Sequence, residues 1–151
     1  MFNCCKNIRF EKIFVSGLIY MAIAFVVHQI EALLTMKYYL MHEYFGLWSQ
    51  IMMPSLGATP PARFFIASML FSFITGVVLA AFYDFVKGLL ADNRCQKIFE
   101  FSGIVIILSF VFFSLTSYLL FNVPFVLLVS WFLSSFVILL LSVAAFVRVL
   151  D

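Results

Sequence analysis

His28 and Glu31 stand three residues apart inside a run that is otherwise almost wholly apolar, from Ile13 to about Leu34. On a helix Ala24, His28, Glu31 and Thr35 recur at spacings of three and four and therefore share one face, joined by Tyr38 or Tyr39 and His42 if the helix continues. An imidazole and a carboxylate one turn apart have three chemical uses: to tie helices together, to pass protons or cations, or to ligate a metal or haem. A charged, unpaired carboxylate near the centre of a bilayer costs at least about 2.5–3.5 kcal/mol, so Glu31 should have a compensating partner. If Ile13 marks one membrane surface, Glu31 lies about 27 Å further along and His28 about 4.5 Å deeper. Arg63 comes to nearly the height of Glu31, so a Glu31–Arg63 pair is expected, with His28 able to hydrogen-bond Glu31, Ser68 or Ser72. A metal is not expected, because His28-x-x-Glu31 reverses the Glu-x-x-His order of bundle carboxylate sites and no second motif accompanies it. His42 and Glu43 would add ligands only if the segment beyond the first span folds back.

The other candidates are weaker. Asp84 and Lys87 can pair at i,i+3 where the second apolar run ends, and an inner gate or second protonation site is the alternative there. Between Phe101 and Val147 there is no Asp, Glu, Lys, Arg or His, and Tyr118 is the one titratable side chain. No nucleophile with its base, phosphate-binding loop, zinc-protease motif or paired catalytic carboxylates can be found, so no catalytic residues and no cofactor are expected. Cys4, Cys5 and Cys95 form no C-x-x-C pair and are expected as reduced thiols, with palmitoylation of Cys4 or Cys5 as the alternative.

The elements that position these groups follow from composition. Of 151 residues 66% are apolar, 19% aromatic and only 11% charged, with a mean hydropathy of +1.17. A soluble domain carries roughly a quarter charged residues. Disorder, nucleic-acid binding and a disulfide-stapled scaffold fall away for want of polarity, clustered basic charge and dense cysteine. An all-α integral membrane protein remains. A span needs about 20 apolar residues, and the charge-free run after Phe101 would reach about 70 Å as one helix. It must turn, and Asn122-Val123-Pro124 is the place, because Pro cannot continue the preceding hydrogen-bond ladder. Four transmembrane helices are predicted, at about 13–34, 64–86, 100–121 and 125–147, forming one four-helix domain over 1–151.

Lys and Arg next to short loops are retained on the cytoplasmic side. Lys6, Arg9, Lys12, Lys87, Arg94, Lys97 and Arg148 fall on one side, and Lys37 and Arg63 on the other. Both termini are therefore expected in the cytoplasm (N-in/C-in), in the cytoplasmic membrane if the host is prokaryotic. A cleaved leader ending near Ala22-Ile23-Ala24 is disfavoured, because the apolar run continues through Phe25-Val26-Val27.

The outer loop, 36–63, is rich in Tyr, Phe, Trp and Met and is expected to lie along the interface, as a short helix from about Tyr38 to Met53 broken by Pro54. The alternative is that the first helix simply continues and kinks near Gly46. Such a segment is either an aromatic anchor, a cap over a pocket between helices, or a docking surface for a partner. Within the spans, helix association depends on small residues. Ser68, Ser72, Gly76 and Ala80, continued by Asp84 and Gly88, mark a packing face on the second span. Ser130 and Ser134 mark one on the fourth, and Ser102, Ser109 and Thr116 recur every seven residues on the third.

The functional expectation is a non-enzymatic accessory, assembly or scaffold component, in contact with lipid and with itself or other membrane subunits, and not with nucleic acid. One alternative is a small translocator of protons, ions or solutes using His28 and Glu31. A metal- or haem-binding membrane enzyme subunit is the other.

Overall fold

The computed structural model describes residues 9–46, 50 and 52–151. Among them the regular structure is helical, and four helices are long and apolar enough to cross a membrane, which makes this a multi-pass membrane protein. Helix α1 runs Phe10–Tyr39 and α2 runs Ala62–Val86, closing in a 3₁₀ turn at Lys87–Leu89. The third span consists of α3 (Arg94–Ser109), a π-helical turn at Phe110–Leu115 and α4 (Thr116–Leu120), and the fourth is α5 (Phe125–Leu150). Cys4, Cys5 and Lys6 lie outside the described residues, while Cys95 is an exposed free thiol.

The spans start and stop where local chemistry dictates. Asn93 caps α3, its side-chain oxygen accepting from the backbone N–H groups of Cys95 at 2.9 Å and Gln96 at 3.4 Å. Such a cap satisfies donors that a helix start leaves open, so the helix begins six residues ahead of the charge-free window that predicted 100. Pro61 and Pro124 stand in extended conformation at the starts of α2 and α5. The chain reverses over residues 121–124, at the Asn-Val-Pro site expected.

The expected surface helix over 38–53 is not formed. Helix α1 continues past Leu34 to Tyr39, a single 3₁₀ turn spans His42–Tyr44, and Phe45, Gly46, Met52 and Met53 are non-helical. The reason is tertiary. This segment folds back, and Met53 is buried in an apolar cluster with Tyr39, Val123, Leu127 and Leu128, flanked by Phe45, Met52 and Trp131. Asn122 Nδ2 donates to the Glu43 carbonyl at 3.0 Å and fastens the loop to the α4–α5 turn. Gly57, with φ of 80°, supplies a left-handed residue where the loop turns toward α2.

Helix α1 is central, packing on α2 along one side and on α5 along another, while α3 packs on α5. The α1–α2 crossing is a glycine contact. A methyl group on Gly76 would come within 2.6 Å of Tyr20 Cβ and 3.0 Å of the Gly17 carbonyl oxygen, and one on Gly17 within 2.5 Å of Val77 Cγ2. Close backbone approach of this kind is what small residues provide in lipid, where apolar burial alone drives little association. Near the ends marked by Arg9 and Leu150, here the basic end, all four spans contribute to one core: Ile13, Ala80, Tyr83, Phe101, Val143, Phe146, Val147 and Leu150. At the opposite, loop end the cluster among the described residues is built from α1, α5, the loop and Val123 of the α4–α5 turn.

This divergence corrects the packing faces. Gly76 and Ala80 are buried as expected, but Ser72 is half-buried and Ser68 exposed, because α2 and α1 touch at Gly17 and Gly76 and the stripe is left uncovered above that crossing. Gly88 is exposed and Asp84 half-buried. On the third span Ser102 is buried, Ser109 half-buried and Thr116 exposed. The wider turn at 110–115 shifts the helical register between Ser109 and Thr116, so the seven-residue repeat does not stay on one side there. On α5, Ser134 is buried and Ser130 half-buried.

Candidate functional site: the polar seam between α1 and α5

Glu31 lies 21 residues beyond the first residue of α1, about 32 Å along the helix. Its side of α1 carries Ala24, Thr35 and Tyr39, all buried, in the three- and four-residue rhythm that the sequence displays. The neighbour this face meets is α5, five residues from its start at Phe125. There Ser130 Oγ donates to Glu31 Oε1 at 2.8 Å. Thr35 Oγ1 approaches the same oxygen at 2.8 Å and the Glu31 backbone carbonyl at 2.7 Å. Glu31 and Thr35 are each only 7% exposed, so these contacts form away from solvent. One turn further toward the loop, Trp131 Nε1 donates to Tyr39 Oη at 2.7 Å, with the two ring centres 6.4 Å apart. Tyr39 and Trp131 also belong to the apolar loop cluster, so the loop covers the seam from that end.

The expected Glu31–Arg63 pair is absent: among the described residues Arg63 has no ion pair and is exposed. The two residues were matched by height along their helices. Height says nothing of azimuth, and Glu31 is turned toward α5 rather than α2. His28 is exposed and makes no hydrogen bond with Glu31, Ser68 or Ser72. From the Tyr20–Gly76 contact, His28 lies eight residues along α1 and Ser68 eight residues along the antiparallel α2, each about 12 Å away, so the two are level. The structure thus separates the expected cluster into a buried seam at Glu31 and an open rim carrying His28, Arg63 and Ser68. Among the described residues no three of His, Cys, Asp and Glu gather closely enough to hold a metal ion.

Ser130 was visible in the sequence as a packing residue only, and Trp131 not at all. The available signal was a hydroxyl beside an indole, six and seven residues past the helix-starting proline, in a stretch that carries no charge before Arg148.

At the basic end Asp84 and Lys87 do pair, at 2.8 Å, as their spacing implies. Lys87 Nζ also donates to the Leu150 carbonyl and lies 3.9 Å from Asp151. Lys97 pairs with Asp151 at 2.8 Å, Tyr83 Oη donates to the same carboxylate at 3.1 Å, and Arg9 donates to the Leu150 carbonyl at 3.4 Å. Cations on the last carbonyls of a helix satisfy its negative end. This knot locks the end of α5 to α1, α2 and α3.

Compared with protein-family models, with curated proteins and with solved structures, the chain gives no match, so its function has to be argued from this geometry.

Proposed function

We propose that this protein is a non-enzymatic accessory or assembly component of a membrane, which joins another membrane subunit or a second copy of itself along the loop-end halves of α1 and α2. The observation that supports this is the rim. His28, Arg63 and Ser68 are exposed there, with Gln29, among exposed apolar side chains such as Val26, Ile30, Leu33, Phe65 and Ile66. Polar and ionisable side chains within spans ordinarily face a bundle interior, a water-filled cavity or a partner, and α1 and α2 supply no interior at this height. The buried carboxylate supports the same role from inside, since its hydrogen bonds tie α1 to α5 and hold the rim-bearing helix in place. Both termini lie in the cytoplasm in this proposal, on the Lys/Arg bias, and the segment between α1 and α2 sits at the opposite interface.

The test is cross-linking in native membranes. A photoreactive residue in place of Ser68 should give adducts with a membrane protein or a second copy, whereas the same residue in place of Leu119, exposed on the third span, should give lipid adducts. Lipid adducts alone at both positions would remove the accessory role. A proton or cation flux through reconstituted vesicles, above that of protein-free vesicles and lost in Glu31→Gln, would replace it with the translocator.

A further inference from the structure

At the basic end Lys87 and Lys97 are engaged with Asp84 and Asp151, whereas Arg9, Lys12 and Arg148 are exposed and have no ion pair among the described residues. The helix contacts bring these three cations to one edge. The Arg9–Leu150 and Glu31–Ser130 hydrogen bonds fix the antiparallel register of α1 and α5, and in that register Lys12 stands level with about residue 148. Arg148 follows Ser130 by eighteen residues, or five helical turns, and so returns to the side of α5 that meets α1. On α1, Phe14 packs on Phe73 of α2 with ring centres 5.1 Å apart, and Lys12, two residues earlier, lies on the opposite flank, toward α5. Glu11 precedes Phe14 by three residues and belongs to the α2 flank. Asp151 is turned to Lys97 and Tyr83. Arg9 gives the Leu150 carbonyl one of its five N–H groups and keeps the others. It also provides no side-chain cap for α1, so the positive end of a 30-residue helix opens at the same place.

We propose that Arg9, Lys12 and Arg148 bind the phosphodiester headgroup of an anionic phospholipid, whose acyl chains lie along the outer edge of the α1–α5 contact. Cations gathered on one edge, with the neighbouring carboxylates turned elsewhere, attract an anion, and each Lys or Arg beside an anionic membrane surface adds to that attraction. The surface beneath them narrows the kind of anion. Ala144, Leu141 and Val137 precede Arg148 by four, seven and eleven residues and keep to its side of α5, Ala144 half-buried and the other two exposed. Ile19 and Ile23, both half-buried, follow Lys12 by seven and eleven residues on α1. All five belong to helices long and apolar enough to cross a membrane. The complementary ligand is therefore anionic at one end and hydrocarbon along the rest, which describes a phospholipid and neither a free phosphate nor a soluble acidic peptide. This site lies at the opposite end of α1 from the His28 and Arg63 rim, so it goes beyond the accessory role and does not depend on it.

The experiment is thermal unfolding of the purified full chain in non-ionic detergent micelles with a fixed amount of phospholipid, in which phosphatidylglycerol replaces phosphatidylcholine stepwise at constant ionic strength. Phosphatidylglycerol should raise the melting temperature saturably by several degrees, because a ligand that binds only the folded state stabilises it by mass action. Lys12→Gln and Arg148→Gln should each raise the half-saturating fraction about fivefold, the worth of one cation at an anionic surface. Arg94→Gln, which removes an exposed cation of α3 at the same end, should leave it unchanged. No rise over phosphatidylcholine would overturn the proposal. Equal effects of Arg94→Gln and Arg148→Gln would overturn it as well, by showing diffuse charge in place of a site. An equal rise with inorganic phosphate in phosphatidylcholine micelles would assign the site to a free anion and overturn the lipid. If one of the two variants fails to fold, the other decides alone, since an unchanged half-saturation there removes that cation from the site.

Discussion

The Glu31 carboxylate of α1 accepts the Ser130 hydroxyl of α5 at 2.8 Å, across 99 positions of sequence. It is a polar cross-link between the two helices, beside the Trp131–Tyr39 bond, that the loop-end cluster then covers with Leu127 and Leu128. Hydrogen bonds between transmembrane helices contribute on average about 0.6 kcal/mol and at most about 1.7. Ser130→Ala should lower unfolding stability within that range. Glu31→Gln should cost less, because an amide oxygen accepts the same two hydroxyls. Glu31→Ala should cost more than either, since it strands both hydroxyls and opens a cavity. Chemical denaturation in mixed micelles, run as a double-mutant cycle on Glu31→Ala and Ser130→Ala, reads the coupling directly, and a coupling of zero would show that the contact does not stabilise the fold.

The α1–α2 crossing makes a sharper contrast. Gly76→Ala should destabilise by about 1–3 kcal/mol, because the added methyl meets Tyr20 Cβ at 2.6 Å and neither it nor the Gly17 carbonyl can swing aside. Gly103→Ala should instead stabilise by up to about 1 kcal/mol, since a methyl there meets nothing within 4 Å and alanine is the better helix former. The two substitutions are chemically identical, so opposite signs in one denaturation assay would isolate packing from propensity.

Two polar contacts of different strength stand at the loop end. Trp131→Phe removes the 2.7 Å donation to Tyr39 while keeping an aromatic ring, and Asn122→Ala removes the exposed bond to the Glu43 carbonyl. The first should cost about 1 kcal/mol and the second a few tenths, following the worth of buried and exposed hydrogen bonds. Limited proteolysis within residues 52–61 should accelerate in that order. Equal rates for both variants and the unchanged protein would mean that apolar burial of Met53 alone holds the loop.

At the basic end, Tyr83→Phe keeps the ring against Phe101, whose centroid is 5.3 Å away, and loses the bonds to Asp151. A loss near 1 kcal/mol is expected, with little dependence on salt. Asp151→Asn weakens the ion pairs with Lys97 and Lys87 and should cost at most about 1 kcal/mol, because partly exposed pairs are weak. That loss should shrink between low and high ionic strength as screening removes it from the unchanged protein.

Cys95 reports the orientation. With Cys4 and Cys5 replaced by serine, the exposed Cys95 thiol at the basic end should resist a membrane-impermeant maleimide added to intact cells and react once the membrane is opened. A cysteine introduced at Ser55, exposed in the loop, should behave in the opposite way. Labelling of Cys95 in intact cells would invert the topology.

Much of this architecture was legible because the bilayer imposes a one-dimensional constraint. A segment spans if it is long and apolar enough, so four spans and the reversal at Asn122-Val123-Pro124 followed from counting, and the i,i+3 pair of Asp84 and Lys87 followed from helical geometry. The face shared by Glu31, Thr35 and Tyr39 was equally local, being fixed by 3.6 residues per turn. The sequence alone therefore determined which residues of α1 act together and how deep they lie. Which helix they meet was left open, because depth is a coordinate along the membrane normal and partner choice is an angle around it. The tertiary structure settled that angle at the glycine crossing of Gly17 and Gly76, which sets α2 against one side of α1 and leaves the Glu31 face to α5. Arg63, level with Glu31 and of the opposite charge, was for that reason the wrong partner, and the uncharged Ser130 the right one.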